Sequence, residues 1–334
     1  VTAGRGAARA RGPLAAGERV LLVDRKDRRY LVRLVAGGTF QSHAGVVEHD
    51  ALIGADDGSE HVARQHDGRT GPGRRFLVLR PTLSDLVLKM PRGAQVIYPK
   101  DLGAILMAGD IFPGARVLEA GVGSGALSMT LLGAGAELVG YEIRPDFAAR
   151  AIANVVDALG ADTGYRVEER DIYEGIAATD LDRVVLDLPE PWRVVAHAAD
   201  ALVPGGILLS YLPTINQTAE LRARLEHGGF GFAETFEVLR RTWHVEGRSV
   251  RPDHRMVAHT GFITTARRIS ARWHEEPVPS VEDARVELGT DDEGASHRGG
   301  DAHRGGGTDL SDDMDLRGEA SEVSWRLVAR KPQD

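Results

Sequence analysis

The chain reads as an α/β protein: a parallel sheet with crossover helices, preceded by a small all-β domain. Three observations predict this. From Ile111 to Thr265, short apolar runs alternate with stretches of helical spacing, the pattern of parallel strands joined by helices. Ahead of them, residues 17–80 hold short β-type runs punctuated by Gly-Gly and Asp-Gly pairs. Two of the later apolar runs end in loops that carry a carboxylate beside glycines or prolines. In an open α/β sheet, ligands bind just outside those strand ends.

Taken in order, residues 1–16 are a basic arm with Arg5, Arg9 and Arg11. The β-domain of 17–80 has candidate strands at Val20–Val23, Tyr30–Leu34 and Phe76–Leu79, with turns at Gly37-Gly38, Asp57-Gly58 and Asp67-Gly68. A small barrel or sandwich fits this spacing. Residues 81–110 are a connector. In the domain of 111–270 the candidate strands are Arg116–Ala120, Leu138–Glu142, Tyr165–Glu168, Arg183–Leu188, Gly206–Leu212, Gly231–Leu239 and His259–Ala266. Phe147–Leu159 and Thr218–His227 have helical spacing, and Pro204-Gly205-Gly206 is a turn before a strand. Residues 271–334 form an acidic, Gly-rich tail with few large apolar side chains, expected to be largely disordered. Within it Ser324–Ala329 has the composition of a short strand.

Composition narrows the chemistry. With no cysteine, disulfides, thiolate metal sites and cysteine nucleophiles are excluded, which suits a reducing cytoplasm. No apolar run approaches the roughly 20 residues of a membrane span, and the first residues lack the apolar core of a secretory signal. No metal is expected. The net charge of −8 is concentrated: residues 271–334 hold 8 Lys/Arg and 16 Asp/Glu, so the first 270 residues are neutral overall. Within those, residues 1–33 carry nine Lys/Arg against three acids, and a second basic group is Arg240, Arg241, Arg248, Arg251, Arg255, Arg267 and Arg268. A locally basic surface is enough to hold phosphates.

The first loop, Glu119-Ala-Gly121-Val-Gly123-Ser-Gly125, lets the backbone approach a ligand and opens a helix with free N–H groups. Gly121, Gly123 and Ala126 also satisfy the dinucleotide pattern G-x-G-x-x-G/A, so a nicotinamide enzyme competes on this loop. Glu119 favours another nucleoside cofactor. Its carboxylate can receive a cationic amino-acid end but would repel a pyrophosphate. Glu142 ends the next strand, where an acid bonds ribose hydroxyls. Asp171 and Ile172 could read and cover an adenine, with a plain helix N-cap as the alternative for Asp171. The second loop, Asp187-Leu-Pro189-Glu-Pro191-Trp192, is stiffened by two prolines and offers a carboxylate and an indole to a planar base. Together the loops suggest methyl transfer from S-adenosylmethionine to a nucleobase.

Five ordered stretches carry a resemblance. They are Met90–Asp101, Arg116–Ala126, Tyr141–Phe147, Asp187–Trp192 and Arg251–Phe262. Across residues 17–268 the chain resembles the tRNA (adenine-N1)-methyltransferase family, enzymes that modify the T-loop adenine. The acidic tail departs from that family's short ending. The resemblance implies a Rossmann-like, seven-stranded class I methyltransferase sheet, S-adenosylmethionine as cofactor, tRNA as substrate and a homotetramer. Gln95 and Tyr98 would border the methionine end of the cofactor. Glu119, Gly121, Gly123, Ser124, Gly125, Ala126 and Leu127 would cradle it. Glu142 and Arg144 would sit at the ribose, Asp171 and Ile172 at the adenine, and Asp187 where the methyl group is handed over.

On the substrate side, Trp192, Tyr98, Trp243 and His244 are candidate stacking surfaces, each with core packing as the alternative. Arg92, Arg251 and His254 could hold phosphates, and His259 is structural or functional. Adenine N1 has its lone pair in the ring plane, so the catalytic group need only align it and stabilise the positive charge that develops. Asp187 could do so by accepting a hydrogen bond from the exocyclic amine. Other methyltransferase substrates and a non-catalytic RNA-binding subunit remain as alternatives.

Overall fold

The computed structural model describes residues 11–43, 45–65, 74–93 and 95–270. The first ten residues, the Asp67-Gly68 turn and the whole tail, with its expected strand at Ser324–Ala329, lie outside the described residues.

Among the described residues, six strands form the N-terminal region: β1 (Arg19–Asp24), β2 (Arg29–Arg33), β3 (Thr39–Ser42), β4 (Gly45–Glu48), β5 (Glu60–Val62) and β6 (Arg75–Leu79). Four make an antiparallel sheet in the order β2-β1-β6-β5, and β3 pairs with β4 as a separate hairpin. Strand periodicity puts Val20, Leu22, Phe76 and Val78 in one core with Leu34, Val47 and Leu52. Leu14, assigned above to the basic arm, belongs to this core. It is buried, and it exchanges backbone hydrogen bonds with Gly54 and Ala55. A single apolar residue outside any periodic run gave no signal of this.

The connector is helical. In α1 (Leu83–Lys89) the Thr82 hydroxyl and the Asp85 side chain cap each other's backbone N–H reciprocally. In α2 (Pro99–Ala108) proline occupies the first turn, where its missing N–H costs nothing.

The large sheet comprises β7 (Arg116–Ala120), β8 (Glu137–Glu142), β9 (Arg166–Glu169), β10 (Leu181–Leu186), β11 (Leu202–Leu212), β12 (Phe230–Phe236) and β15 (Phe262–Arg268). Helices α3 (Ala126–Gly133), α4 (Pro145–Leu159), α5 (Val195–Ala201) and α6 (Ile215–Glu226) connect them, and a hairpin, β13 (Trp243–Glu246) and β14 (Ser249–Pro252), precedes β15. The strand order is β12-β15-β11-β10-β7-β8-β9. The order reverses at β7, so the ends of β7 and β10 flank the crevice where such sheets bind ligands.

Three expectations are corrected. The sheet is not wholly parallel, because β15 runs antiparallel to both β11 and β12. The chain between β12 and β15 is a hairpin rather than a crossover helix, so it returns in the opposite direction. Pro204-Gly205-Gly206 does not precede β11 but lies inside it as a register shift against β10. The fourth strand ends at Leu186, which leaves Asp187 as the first residue of its loop.

Candidate active site

Register sets the site. Glu119 on β7 lies opposite Gly140 on β8 and Val185 on β10. Because side chains alternate, Glu119 and Glu142 project from the same face of the sheet, and Asp187 extends that row past the end of β10. Leu186 is paired with Ser210, so Tyr211 on β11 is the register neighbour of Asp187. Three carboxyl groups and a phenol therefore converge at one edge of the sheet, above a core of Val117, Leu138, Val185 and Leu209.

Glu119 is completely buried. Its Oε2 accepts a hydrogen bond from the Ser128 hydroxyl at 2.6 Å, and Ser128 in turn accepts from the Tyr165 hydroxyl at 2.8 Å. Its Oε1 has no hydrogen-bond partner. Burial, reinforced by the nearby Asp187 and Glu142 charges, pushes the Glu119 carboxyl up to about 8. Such an acid lacks a cation. Burial also pushes Asp187 up to about 7. Glu142 accepts from the Gly123 N–H at 3.1 Å and from the Arg144 N–H at 3.0 Å, which fixes the end of β8 against the glycine loop.

The glycines have different reasons. A Cβ on Gly121 would stand 2.1 Å from the Asp187 carbonyl oxygen, and its φ is +82°. The glycine loop and the Asp187 turn are thus in backbone contact, and only glycine permits it. A Cβ on Gly123 would meet nothing closer than 3.9 Å, so the loop faces open space at that point. Gly125 packs on the backbone of Ala151 in α4.

Most of the cofactor set predicted from sequence is gathered here: Glu119, Gly121, Gly123, Ser124, Gly125, Ala126, Leu127, Glu142 and Asp187. The 91–98 segment joins it, since the Gly93 N–H donates to the Ser124 hydroxyl at 3.4 Å. Asn154, which the sequence reading missed, clamps both pieces by donating to Pro91 O and Ser124 O, each at 3.0 Å. Arg92 and Gln95 are exposed, and Tyr98 is half-buried at the cap of α2. Arg144 pairs with Asp146 at 3.0 Å and covers the Phe147 ring at 3.9 Å. Ile172 is buried, and Asp171 caps the short helix after β9, accepting from the Tyr173 N–H at 2.9 Å. The N-cap alternative for Asp171 is realised through one oxygen, Oδ1.

The proposed base-stacking set is split. Trp192 is only partly exposed and packs on the core beneath α5. Trp243 is 60% exposed on β13. His244 faces Arg251 across the hairpin, and His254 follows, exposed. Among the described residues no hydrogen bond or ring contact joins Trp243, His244, Arg251 or His254 to the Asp187 turn. His259 is held in place: its ring nitrogens bond Pro213 O at 3.0 Å and Glu237 at 2.8 Å, and both partners raise its pKa.

Fit to a cationic nucleoside cofactor rests on the orphaned Glu119 Oε1, on the space at Gly123 and on the start of α3. An unpartnered buried carboxyl oxygen suits an ammonium or an ordered water. A pyrophosphate would meet three carboxyl groups.

Known proteins match this chain over most of the residues that build the two regions described above. The family model described as tRNA methyltransferase complex GCD14 subunit matches residues 75–260, and the TrmI-like N-terminal model matches residues 12–60. The tRNA (adenine(58)-N(1))-methyltransferase TrmI of Thermus thermophilus is 40% identical over 260 residues, which cover 75% of this chain and 97% of that relative. The tRNA (adenine(57)-N(1)/adenine(58)-N(1))-methyltransferase of Methanocaldococcus jannaschii is 34% identical, covering 74% and 94%. Among solved structures, an S-adenosylmethionine-dependent O-methyltransferase of Thermotoga maritima superposes with a TM-score of 0.71 at 32% identity, covering 78% and 96%. The tRNA (m1A58) methyltransferase TrmI of Aquifex aeolicus gives 0.67 at 28% identity, covering 78% and 100%.

Proposed function

The chain belongs to the tRNA (adenine-N1)-methyltransferase family, and from that premise we propose that it transfers a methyl group from S-adenosylmethionine to N1 of the T-loop adenine, position 58, of tRNA. The observation that carries this reading is the backbone contact between Gly121 and Asp187, which fixes the methyl-donor loop and a carboxylate in one geometry.

S-Adenosylmethionine supplies an electrophilic methyl group on a cationic sulfur. Glu119, Gly121–Leu127 and the Gln95–Tyr98 segment would hold its amino-acid end, Glu142 and Arg144 its ribose, and Asp171 and Ile172 its adenine. Asp187 accepts a hydrogen bond from the exocyclic amine of the target base. As the base becomes cationic that bond strengthens, so Asp187 stabilises the transition state more than the ground state. Held near 7 by burial, the carboxyl also suits taking the amine proton at or after transfer. The target adenine would leave its stack to reach the site.

Trp243, His244 and Arg251 on the β13–β14 hairpin and His254 just after it, with Arg92 and the basic N-terminal arm, would hold the RNA. Trp192 is better assigned to shaping the Asp187 turn than to stacking. The resemblance to the family supports a homotetramer, a cytoplasmic setting and, by analogy with the Methanocaldococcus relative, a neighbouring adenine as second target. Among the described residues no helix is long and apolar enough to cross a membrane.

The test is methylation of an unmodified tRNA transcript followed by nucleoside analysis, with a second transcript in which the target adenine is replaced. 1-Methyladenosine that disappears with the replacement is the expected result. A methylated hydroxyl or another base would overturn the assignment.

A further inference from the structure

Behind Tyr211 lies a buried polar cluster that the chemistry above does not use. Lys100 and Asp101, in the first turn of α2, have buried side chains that pair at 2.7 Å. Lys100 Nζ also donates to Thr260 Oγ1 and to Val238 O, each at 2.6 Å. The Thr260 hydroxyl donates to the second oxygen of Asp101 at 2.6 Å. The Tyr211 hydroxyl faces Thr260 and Asp101, and burial, with the Asp101 and Asp187 charges, pushes it up to about 12, so it stays a neutral donor. Next to Thr260, Gly261 leaves room for the Tyr211 ring, since a Cβ there would stand 2.4 Å from it.

The cluster ties together four chain segments. They are the start of α2, whose first turn hangs from the Tyr98 carbonyl, the carboxyl end of β11, the chain just after β12 at Val238, and the 257–262 stretch leading into β15. They meet beside Tyr211, the register neighbour of Asp187. A buried ion pair is a poor way to gain stability, because desolvating both charges offsets their attraction. It is a good way to fix geometry, because each charge tolerates few alternative placements once water is excluded.

We infer that Lys100, Asp101 and Thr260 form a positioning unit that holds Tyr211 in place beside Asp187, on the acceptor side of the site. They touch neither cofactor nor base. They act by keeping that ring in the orientation that aligns the acceptor nitrogen. This rests on the methyl-transfer reading, and it predicts an effect on the chemical step rather than on binding.

Thr260→Val keeps the shape of the side chain and removes the hydroxyl that joins Lys100, Asp101 and Tyr211. Measured on full-length protein with tRNA transcript, kcat should fall at least about tenfold. The dissociation constant for S-adenosylmethionine, from calorimetry, and the KM for tRNA should stay within about threefold of the native values. Thr260→Ser, which restores the hydroxyl, should recover kcat to within about threefold. Asp101→Asn, which keeps the shape but unbalances Lys100, serves as the second variant and should show the same split between kcat and binding. Native kcat in a folded Thr260→Val would overturn the inference. So would a loss of cofactor binding that matches the loss of kcat, or a Thr260→Ser protein no better than Thr260→Val. Absence of turnover by the native chain would instead overturn the functional reading, and the inference with it.

Discussion

The glycine loop with its Asp187 turn and the β13–β14 hairpin both follow strands of the same sheet, yet they are built by opposite rules. In the first, contacts from other segments fix the loops. Gly121 touches the Asp187 backbone, Glu142 holds Gly123, and Asn154 bridges two loops. In the second, Trp243, Val245 and Val250 are 60%, 71% and 60% exposed, and strand pairing provides the described structure. A small cationic ligand is gripped by rigid, charge-frustrated walls. A large polyanion needs an accessible surface with positive charge and exposed rings. The first region spends stability on burying acids without cations, and the second gives up burial altogether.

The largest break in that comparison comes from Gly121→Ala. The new Cβ would collide with the Asp187 carbonyl at a positive φ, so both loops must move. Cofactor binding and methyl transfer should both drop beyond detection, with a stability loss of about 2–4 kcal/mol from strain and overpacking. Calorimetric titration and thermal melting check this. An alanine variant that binds cofactor normally would show that the two loops are not coupled.

Glu119→Gln separates charge from shape. Cofactor affinity should fall roughly tenfold or more, since a desolvated charge pair is lost. The cofactor-free protein should not suffer. With Glu119 near 8 and Asp187 near 7, against 4.5 and 3.8 as ordinary values, the folded state binds protons that the unfolded chain has released. The contribution of these groups to stability therefore declines as pH rises from about 4 to about 8, by up to ~1.4 kcal/mol per pH unit for each titrating group. The glutamine variant should lose the Glu119 part of that decline, which melting curves at pH 6 and 8.5 would show. A cationic ligand favours the ionised form, so native affinity should strengthen as pH rises toward 8, with proton release. Calorimetry in buffers of different ionisation enthalpy measures that release, and a pH-independent affinity would contradict the assignment of Glu119.

The smallest effects belong to the hairpin. Arg251→Ala should weaken tRNA binding by a few-fold and lower the salt slope of log K by about one. Turnover at saturating tRNA should stay unchanged, and stability should stay within about 0.5 kcal/mol. Titrations at several salt concentrations decide it. An unchanged slope would remove Arg251 from the RNA surface.

The same contrast governs what could be read from the residues alone. The glycine loop and the Asp187 turn were legible because local chain geometry and chemistry coincide there: each strand end, turn residue and acid sits within a few positions of the next. The helical connector was missed although Thr82 and Asp85 form a capping box, since α1, at seven residues, is too short to show a helical period. Asn154, Ser128 and Tyr165 were missed because their partners lie far away in sequence, and nothing local marks a buried hydroxyl or amide as a clamp. The reversed direction of β15 was hidden because residues 240–258, between the last two candidate strands, were given no element, when pairing of Trp243–Glu246 with Ser249–Pro252 makes them a hairpin. Trp192 and Trp243 looked alike as stacking candidates, and only tertiary burial told them apart.

The most direct measurement of the central claim is the single-turnover rate of methyl transfer to tRNA for the native chain, Asp187→Asn and Asp187→Ala, with cofactor affinity measured in parallel. A positioned carboxylate acting on the transition state predicts native rates that rise with pH to a plateau above about 7. It also predicts rates at least roughly a hundredfold lower in both variants, with cofactor affinity changed by less than about threefold. Rates within about threefold of native in either folded variant would contradict it.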